Sequence, residues 1–424
     1  MIDRRFDVVV VGSGPAGSTA AVVLARGGAR VALVDKASFP REKACGDLIG
    51  PRGVQTLRDL ELDLPGAARV SDMIVVGPTG NRVRLPAAPG RTYPGHGIVV
   101  ERSAFDAHLQ RAAIVAGAEL VDARVDTPIA EDGRLAGFEV TSTRLRADVI
   151  IGADGATSRV AEVAGLVDPR RVLWGFAVRT YVDEPIDEPH ILLWTPVRGE
   201  AFPGYGWVFP AGPGRANVGL GIGVLADRSA ARRATRDLAA FVEHARRLGV
   251  LGECGRTRPP ARPLGAWLKM GLVGTAPARD RVLLVGDAAG LVNPLQGEGI
   301  AQAMDSGRAA AEAILGGPDR AAGDYRAHLA GTHGAYLSTA ASAHRSLLRR
   351  PKLVAPFTRT LTGPAVGRPL AGAWSITWND LLDGAPRSRA TAAATAVAGF
   401  GRVLTARSAD RRWIREHLEA PPLP

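Results

Sequence analysis

The chain has 424 residues, of which 46% are hydrophobic and 22% charged, so it is long enough for more than one lobe and large-scale disorder is excluded. Two cysteines, Cys45 and Cys254, exclude a disulfide scaffold, and because no Cys/His cluster has metal-ligand spacing we expect no metal site. The net charge of +11 is concentrated late in the chain, where positions 341–424 hold thirteen basic and five acidic residues.

The first 35 residues follow the pattern of a nucleotide-binding fold. An apolar strand ends in Gly12-x-Gly14-x-x-Gly17, an apolar-periodic helix follows, and a second strand ends at Asp35. The three glycines permit a tight turn, backbone approach to a pyrophosphate and close helix packing, and the helix start offers unpaired N–H groups. We therefore predict a dinucleotide site.

Because no long apolar stretch of a signal peptide precedes the strand, we expect a cytoplasmic protein.

Two later apolar strands also end in glycine and aspartate. They cover 147–151 and 281–285, and the residues that follow include Gly152, Asp154, Gly155, Gly286 and Asp287. An Asp-Gly pair is also a common turn, so a single instance carries little weight. Because the carboxyl ends of parallel strands meet at one edge of a sheet, three such ends predict convergence on one extended cofactor.

The middle of the chain has a different pattern. Residues 171–270 contain short alternating segments separated by proline and glycine, which indicates an antiparallel sheet, and 71–100 is expected to add strands to it. A cleft between two such lobes is the usual place for a ligand.

Three aromatic residues alternate in the segment PGYGWVFP at 203–210. On a strand, Tyr205, Trp207 and Phe209 share one face. Such a stripe is ordinarily part of a core, but it is equally suited to hold an apolar ligand, because aromatic rings supply contact area at low entropic cost.

The C-terminal region is basic and rich in small apolar residues. The segment 390–420 fits a helix lying on a membrane surface, and it fits packed helices with an exposed basic face equally well. An anionic membrane is the expected partner of this region, and nucleic acid is not expected. No run of about 20 apolar residues is present, so we expect no membrane-spanning segment.

The glycine and aspartate signatures together resemble the FAD-dependent group of flavoproteins that includes aromatic hydroxylases. Within that group, the segments FPREKACGDLIGPRGV at 39–54, YGWVFP at 205–210 and NPLQGEGI at 293–300 resemble the geranylgeranyl reductase family. That family includes enzymes that hydrogenate the isoprenoid tails of lipids and of menaquinone. The resemblance runs from about residue 6 to residue 315.

The resemblance implies an α/β fold. A Rossmann-like FAD-binding domain is expected to be interleaved with an antiparallel-sheet substrate domain, as in aromatic hydroxylases, and followed by a helical C-terminal region. The FAD-binding segments are expected at 1–70, 101–170 and 271–325. The substrate domain is expected at 71–100 and 171–270, and the helical, basic region at 326–424.

The resemblance also implies FAD as the cofactor and assigns a set of residues to it. These residues are Gly12, Gly14, Pro15, Ala16, Gly17, Asp35, Lys36, Arg41, Cys45, Gly46, Arg102, Asp154, Gly155, Gly286, Asp287, Pro294, Gly297 and Gly299. Asp35 stands where such flavoproteins usually have Glu, and its shorter side chain is compatible with a ribose contact. Backbone N–H groups at Gly297 and Gly299 would face the flavin edge where negative charge builds on reduction.

The resemblance also implies roles for Cys45 and for the aromatic strand. Cys45 is expected near the flavin, either as a small buried side chain or as a catalytic group that gates or protonates the substrate, with basic neighbours lowering its pKa. Tyr205, Trp207 and Phe209 are expected to contact an apolar substrate.

The predicted function is FAD-dependent saturation of C=C bonds in the polyprenyl chain of a lipid or of menaquinone. The expected electron donor is transiently bound NAD(P)H or a ferredoxin-like protein, and the expected location is the cytoplasm, including the inner face of the membrane. The alternatives are an FAD-dependent monooxygenase of a secondary metabolite and an FAD electron carrier to quinone.

Overall fold

The computed structural model of the protein describes residues 1–193, 204–225, 229–252 and 262–419. Pro203 of the aromatic segment, Cys254 and the last residue of the 390–420 segment lie outside this range.

The strands are β1 (Ile2–Val11), β2 (Val31–Asp35), β3 (Leu48–Ile49), β4 (Ala68–Val70), β5 (Met73–Val76), β6 (Arg82–Leu85), β7 (Gly97–Val99), β8 (Glu119–Asp122), β9 (Pro128–Glu131), β10 (Arg134–Val140), β11 (Thr143–Gly152), β12 (Leu173–Val182), β13 (His190–Leu192), β14 (Gly204–Pro210), β15 (Ala216–Val224), β16 (Leu264–Met270), β17 (Ala278–Arg279) and β18 (Val282–Leu284). The α-helices are α1 (Pro15–Arg26), α2 (Pro51–Asp59), α3 (Arg102–Val115), α4 (Arg159–Val163), α5 (Ala230–Arg247), α6 (Ile300–Gly316), α7 (Ala321–Leu329), α8 (Ala335–Arg349), α9 (Val354–Thr362), α10 (Gly367–Trp378), α11 (Arg389–Leu404) and α12 (Ala409–Ile414).

The first sheet is built around parallel strands in the order β18, β11, β1, β2 and β8. Its central strands are continuous apolar runs because both faces are covered, and their core includes side chains from α1, α6 and α7. The strand registers pair Val11 with Val34 and with Gly152, and Gly152 with Leu284. The three strand ends predicted to converge therefore lie at one edge of one sheet.

Two close approaches hold α1 at that edge. A Cβ atom at Gly17 would lie 1.8 Å from the Gly12 carbonyl oxygen, so α1 packs directly on the turn that precedes it. A Cβ atom at Gly307 would lie 2.2 Å from the Ala16 carbonyl oxygen, so the middle of α6 crosses closely against the first turn of α1. Glycine at these two positions lets the start of α1 pack against its own turn and against α6.

The second sheet has the order β16, β12, β15, β14, β13, β5 and β6, and its neighbouring strands are antiparallel except for β13 and β5. One face packs on α5, where a Cβ atom at Gly206 would lie 2.0 Å from the Phe241 ring. The opposite face carries Trp207 and Phe209, which share an apolar cluster with Trp374 of α10. The aromatic stripe therefore faces the C-terminal helices.

The C-terminal helices pack on both sheets. Side chains of α8 belong to the core of the first sheet, and side chains of α9 and α10 pack against the second. Helix α11 packs on α10 through small residues, because a Cβ atom at Gly372 would lie 2.9 Å from the Ala390 Cβ. Among the described residues, no helix is both long and apolar enough to cross a membrane.

This architecture confirms the predicted α/β fold, with a mainly parallel first sheet, an interleaved and mainly antiparallel second sheet and a helical C-terminal region. Strands β5 and β6, from the 71–100 segment, complete the second sheet. The division of the chain into six segments with fixed boundaries stays a prediction.

Candidate active site

A cavity of about 1260 Å³ begins at the carboxyl edge of the first sheet and continues beneath the aromatic face of the second. It is lined by nearly all of the residues singled out in the sequence. These are Gly12, Gly14, Pro15, Ala16, Asp35, Lys36, Arg41, Cys45, Gly46, Arg102, Asp154, Gly155, Tyr205, Trp207, Phe209, Asp287, Pro294, Gly297 and Gly299. Gly17 and Gly286 do not line it; they lie behind the wall and set the helix packing.

The turn before α1 leaves space for a phosphate group. Gly12 has φ +102°, and a Cβ atom there would lie 2.3 Å from the Ala153 carbonyl oxygen, so this position requires glycine. Gly14 is different, because its backbone is extended and a Cβ atom would meet only the Arg41 Nη2 at 3.6 Å. Pro15 begins the helix without blocking its open N–H groups. This cradle fits the diphosphate of a dinucleotide.

The acids at the strand ends have different local partners. Asp35 accepts hydrogen bonds from the Ser13 N–H at 2.7 Å and the Ser13 hydroxyl at 2.9 Å. Asp154 uses one oxygen to cap α4, accepting from the Arg159 N–H at 2.6 Å. Its other oxygen, Oδ1, is buried without a hydrogen-bond partner among the described residues. That oxygen is free to accept from a ligand hydroxyl, which supports the fit of a dinucleotide.

Asp287 lies at the end of β18, and its carboxyl group lines the cavity. Burial raises its pKa, while the nearby cations Lys43, Arg102 and Lys269 lower it. Lys269 is almost fully buried on β16 and donates from Nζ to the Ala288 carbonyl oxygen at 2.8 Å. Burial lowers the Lys269 pKa to about 8. Lys269 was missed in the sequence, where the only signal was a lysine inside an otherwise apolar strand.

The two predicted arginines are joined through a third residue that the sequence did not indicate. The fully buried Asp106 accepts two hydrogen bonds from Arg102, at 2.7 and 2.8 Å. Arg41 lies 3.4 Å from the same carboxylate. Arg102 and Asp106 are four residues apart on α3, a spacing that places them on one helix face. Asp106 therefore holds both guanidinium groups at the cavity wall.

The thiol of Cys45 lies between these cations and the aromatic strand. Burial raises its pKa, and this effect outweighs the opposing influence of the nearby Arg102 guanidinium. The expectation that basic neighbours lower the Cys45 pKa is therefore wrong, because desolvation of this half-buried thiol disfavours the thiolate. The thiol keeps its proton near neutral pH. Its catalytic role stays a prediction.

A buried network ties the Cys45 loop to the substrate sheet. Asp47, at φ +63°, accepts from the Tyr181 hydroxyl at 2.6 Å and from the Asn217 amide at 2.7 Å. The Asn217 amide also donates to the Cys45 carbonyl oxygen at 2.8 Å, and its own oxygen accepts from the Trp207 Nε1–H at 2.9 Å. Asp47 and Asn217 are both fully buried. The network therefore fixes the distance between the Cys45 loop and the aromatic strand that carries Trp207.

The aromatic stripe forms one wall of the cavity. The ring centroids of Tyr205 and Trp207 are 6.3 Å apart, and those of Trp207 and Phe209 are 6.4 Å apart. Trp378 of α10 extends the row, with its ring 6.2 Å from that of Tyr205. The Tyr205 hydroxyl donates to the Gln296 carbonyl oxygen, which attaches this wall to the loop before α6.

The loop before α6 forms the junction between the polar and apolar parts of the cavity. Helix α6 begins at Ile300 and has no side-chain cap at Gly299, so its first N–H groups remain open. The neighbouring Glu298 accepts a hydrogen bond from the Gly50 N–H at 3.0 Å. Burial raises the Glu298 pKa to about 7. The loop thus offers N–H donors that could face the negatively charged edge of a flavin ring. The carboxyl group of Glu298, which titrates near neutral pH, lies beside these donors.

The C-terminal helices complete the apolar part of the cavity, which the sequence did not predict. Their lining residues are His344 and Leu347 of α8, Val354, Phe357, Thr358 and Leu361 of α9, and Trp378 of α10. Burial lowers the pKa of His344 to about 4, so its ring is neutral. The four-residue spacing of Trp374 and Trp378 was the one signal in the sequence for this wall.

Comparison with known proteins identifies the family of this chain. Residues 5–315 match the FAD binding domain family. A menaquinone reductase of Mycolicibacterium smegmatis is 37% identical over 337 residues, which cover 74% of this chain and 78% of that protein. A digeranylgeranylglycerophospholipid reductase of Methanopyrus kandleri is 34% identical over 334 residues, which cover 73% and 76%.

The chain belongs to the geranylgeranyl reductase family of FAD-dependent oxidoreductases.

A solved structure agrees with this family's fold. The crystal structure of a geranylgeranyl bacteriochlorophyll reductase-like protein from Thermoplasma acidophilum has a TM-score of 0.72 at 23% identity, covering 90% of this chain and 98% of that one. As a family member, the protein is an oxidoreductase with FAD as its cofactor. The match to the FAD binding domain ends at residue 315, so the cavity wall formed by α8 to α10 lies outside it.

Proposed function

We propose that this geranylgeranyl reductase family member saturates C=C bonds in the polyprenyl chain of a lipid or of menaquinone. The observation that carries the proposal is one continuous cavity with a polar half at the strand ends and an apolar half lined by aromatic and aliphatic side chains. A polyprenyl chain has no hydrogen-bonding groups, so apolar area and shape must bind it. The names of the similar reductases support the same class of substrate.

FAD would lie along the polar half. Gly12, Gly14 and the start of α1 would hold its diphosphate, while Asp35 and Asp287 would accept from its hydroxyl groups. When bound, FAD supplies the hydride that an isolated alkene requires. The open N–H groups at the start of α6 would stabilise the negative charge of the reduced ring.

The chain's own residues would position the alkene and supply the proton. Trp207, Phe209 and the α9 side chains exclude water and restrict the alkene to the cavity, which matters because an isolated alkene is a poor hydride acceptor. Saturation needs one proton for the second carbon. The protonated Cys45 thiol is proposed as its donor, and the network through Asp47 and Asn217 holds it beside the aromatic wall.

Anaerobic turnover tests this proposal. Holoenzyme reduced with dithionite would be mixed with geranylgeranyl lipid or menaquinone, and the masses of the products would be measured by mass spectrometry. We expect the gain of one H₂ per saturated bond, with reoxidation of the flavin. Reoxidation that occurs only after oxygen is admitted, with insertion of an oxygen atom into the substrate, would indicate the monooxygenase instead. Reoxidation by quinone with an unchanged tail would indicate the electron carrier.

The physiological electron donor is proposed to be transiently bound NAD(P)H or a ferredoxin-like protein. The structure offers one glycine cradle of the dinucleotide type at the start of α1 within its described residues. Anaerobic bleaching of the flavin by NADH, NADPH or reduced ferredoxin, followed at its visible absorption band, identifies the donor. Failure of all three to bleach a flavin that dithionite reduces would contradict both candidates.

We also propose that the protein binds the inner face of an anionic membrane through its basic C-terminal region. Helix α11 exposes Val397, Phe400, Val403 and Leu404, which lie along one side at helical spacing. Eight of the eleven net positive charges belong to residues 341–424. The holoenzyme is expected to pellet with phosphatidylglycerol vesicles and to be released as salt rises. Binding to duplex DNA but not to these vesicles would contradict this assignment.

A further inference from the structure

Helix α9 separates the apolar half of the cavity from the surface. Val354, Thr358 and Leu361 lie on its inner side and line the cavity. The Thr358 hydroxyl donates to the Ala355 carbonyl oxygen at 3.1 Å within the helix, so its polar group is already satisfied there. The inner face of α9 is therefore suited to an apolar chain.

Two large apolar side chains are exposed at α9 and just before it. Leu353, which directly precedes the helix, is 53% exposed, and Phe357 is 51% exposed. Phe357 also lines the cavity, so its side chain borders both the cavity and the surface. Large apolar side chains side by side at an opening are unfavourable in water and indicate contact with an apolar medium.

Exposed cations flank Leu353 and Phe357 along the chain. Arg349, Arg350, Lys352 and Arg359 are exposed, and none has an ion-pair partner within the part of the chain that the structure describes. No acidic residue occurs between Asp324 and Asp380. We name Arg349, Arg350, Lys352, Leu353, Phe357 and Arg359 the entrance face. Its charge is complementary to anionic lipid headgroups and its apolar residues to the acyl layer beneath them.

We propose that the entrance face sits in the headgroup layer of an anionic bilayer and that the prenyl chain slides from the bilayer past Phe357 into the cavity. This inference rests on the proposed function and adds the route by which the substrate arrives. A long prenyl chain that entered through water would expose its full apolar surface on the way. An opening seated on the membrane avoids that exposure, because the chain passes from one apolar medium to another.

The test compares a substrate embedded in a bilayer with a dispersed one. Menaquinone in vesicles of equal parts phosphatidylglycerol and phosphatidylcholine is the first substrate, and detergent-dispersed geranylgeraniol is the second. The variants are Leu353→Glu and Lys352→Glu, neither of which lines the cavity. Val115→Glu is the matched control, because Val115 is 82% exposed at the end of α3 and lies outside the cavity wall.

Each entrance-face variant is expected to lower turnover of the vesicle substrate about tenfold, since it removes a membrane contact and adds a charge that anionic lipid repels. Turnover of dispersed geranylgeraniol, flavin absorbance and melting temperature should match the wild type. Val115→Glu should behave as the wild type in all four assays. An equal loss of turnover with both substrates, or no loss with either, would overturn the proposal that the substrate enters at the entrance face.

Vesicle pelleting separates this inference from the proposed function. If the wild type reduced neither substrate, the proposed reductase activity would fail, yet the entrance face would still be tested by binding. Weaker pelleting of Leu353→Glu and Lys352→Glu, but not of Val115→Glu, supports a membrane contact at α9. Equal pelleting of all four proteins would show that the membrane binds elsewhere and would overturn the inference.

Discussion

Replacing Trp207 with alanine is expected to lower turnover of the prenyl substrate about tenfold or more while FAD stays bound, because the alkene loses the wall that positions it. The Trp207 ring is 5% exposed, lies across Gly219 and donates to Asn217 at 2.9 Å. Alanine would leave a void beside the cavity and admit water. It would also remove the hydrogen bond that the Asn217 side-chain oxygen accepts from Trp207. The loss of stability should be about 3 kcal/mol, as for other buried tryptophans.

Three measurements check this expectation. The kcat/KM reports the catalytic loss, the flavin-to-protein absorbance ratio reports cofactor retention, and thermal unfolding reports stability. Trp207→Phe is the matched control, because it keeps most of the apolar area and removes only the hydrogen bond to Asn217. Its turnover should lie between those of the wild type and Trp207→Ala. Joint loss of FAD and fold in Trp207→Ala would mean that the stripe is ordinary core.

Gly14→Ala is expected to weaken FAD binding about 100-fold, equal to about 2.7 kcal/mol, while the apoprotein stays folded. In the structure, a Cβ atom at Gly14 meets only Arg41, and its backbone angles are ones that alanine adopts readily. The new methyl group would instead occupy the space left for the diphosphate. Titration of apoprotein with FAD, followed by quenching of flavin fluorescence, measures the loss.

Gly17→Ala is the informative comparison for this experiment. A Cβ atom at Gly17 would lie 1.8 Å from the Gly12 carbonyl oxygen, so alanine must push α1 away from its strand. We expect Gly17→Ala to lose FAD and to unfold at a much lower temperature, as circular dichroism would show. FAD binding of wild-type strength in Gly14→Ala would contradict a diphosphate at this turn.

Much of the cofactor half of the cavity could be predicted from the sequence. Strand and helix periodicity, Gly12, Gly14 and the acids at the strand ends follow local rules, and parallel strands bring their carboxyl ends to one edge. The predicted position of Asp154 beside the cavity agrees with the structure, although one of its oxygens caps α4. Local rules described these residues well because each acts within its own strand, turn or helix.

The pKa of Cys45 and the partners of the arginines could not be predicted in this way. The sequence places Arg41 and Lys43 beside Cys45, which favours a lowered pKa, whereas burial in the folded protein raises it. Asp106 gave no signal, because an acid four residues after Arg102 is common on any helix. Asn217 is 170 positions from its partner Asp47, and no local pattern relates them.

The sequence by itself determined the nucleotide-binding edge, the family and the shared face of Tyr205, Trp207 and Phe209, because these depend on periodicity and on motifs within single elements. Only the tertiary structure decided what this face meets. Helices α8, α9 and α10 close over the stripe, and Phe357 of α9 both lines the cavity and is exposed, near exposed cations in the chain. The physical reason is that walls and openings arise where elements distant in sequence bury their apolar faces together, and such contacts leave no local periodicity to detect.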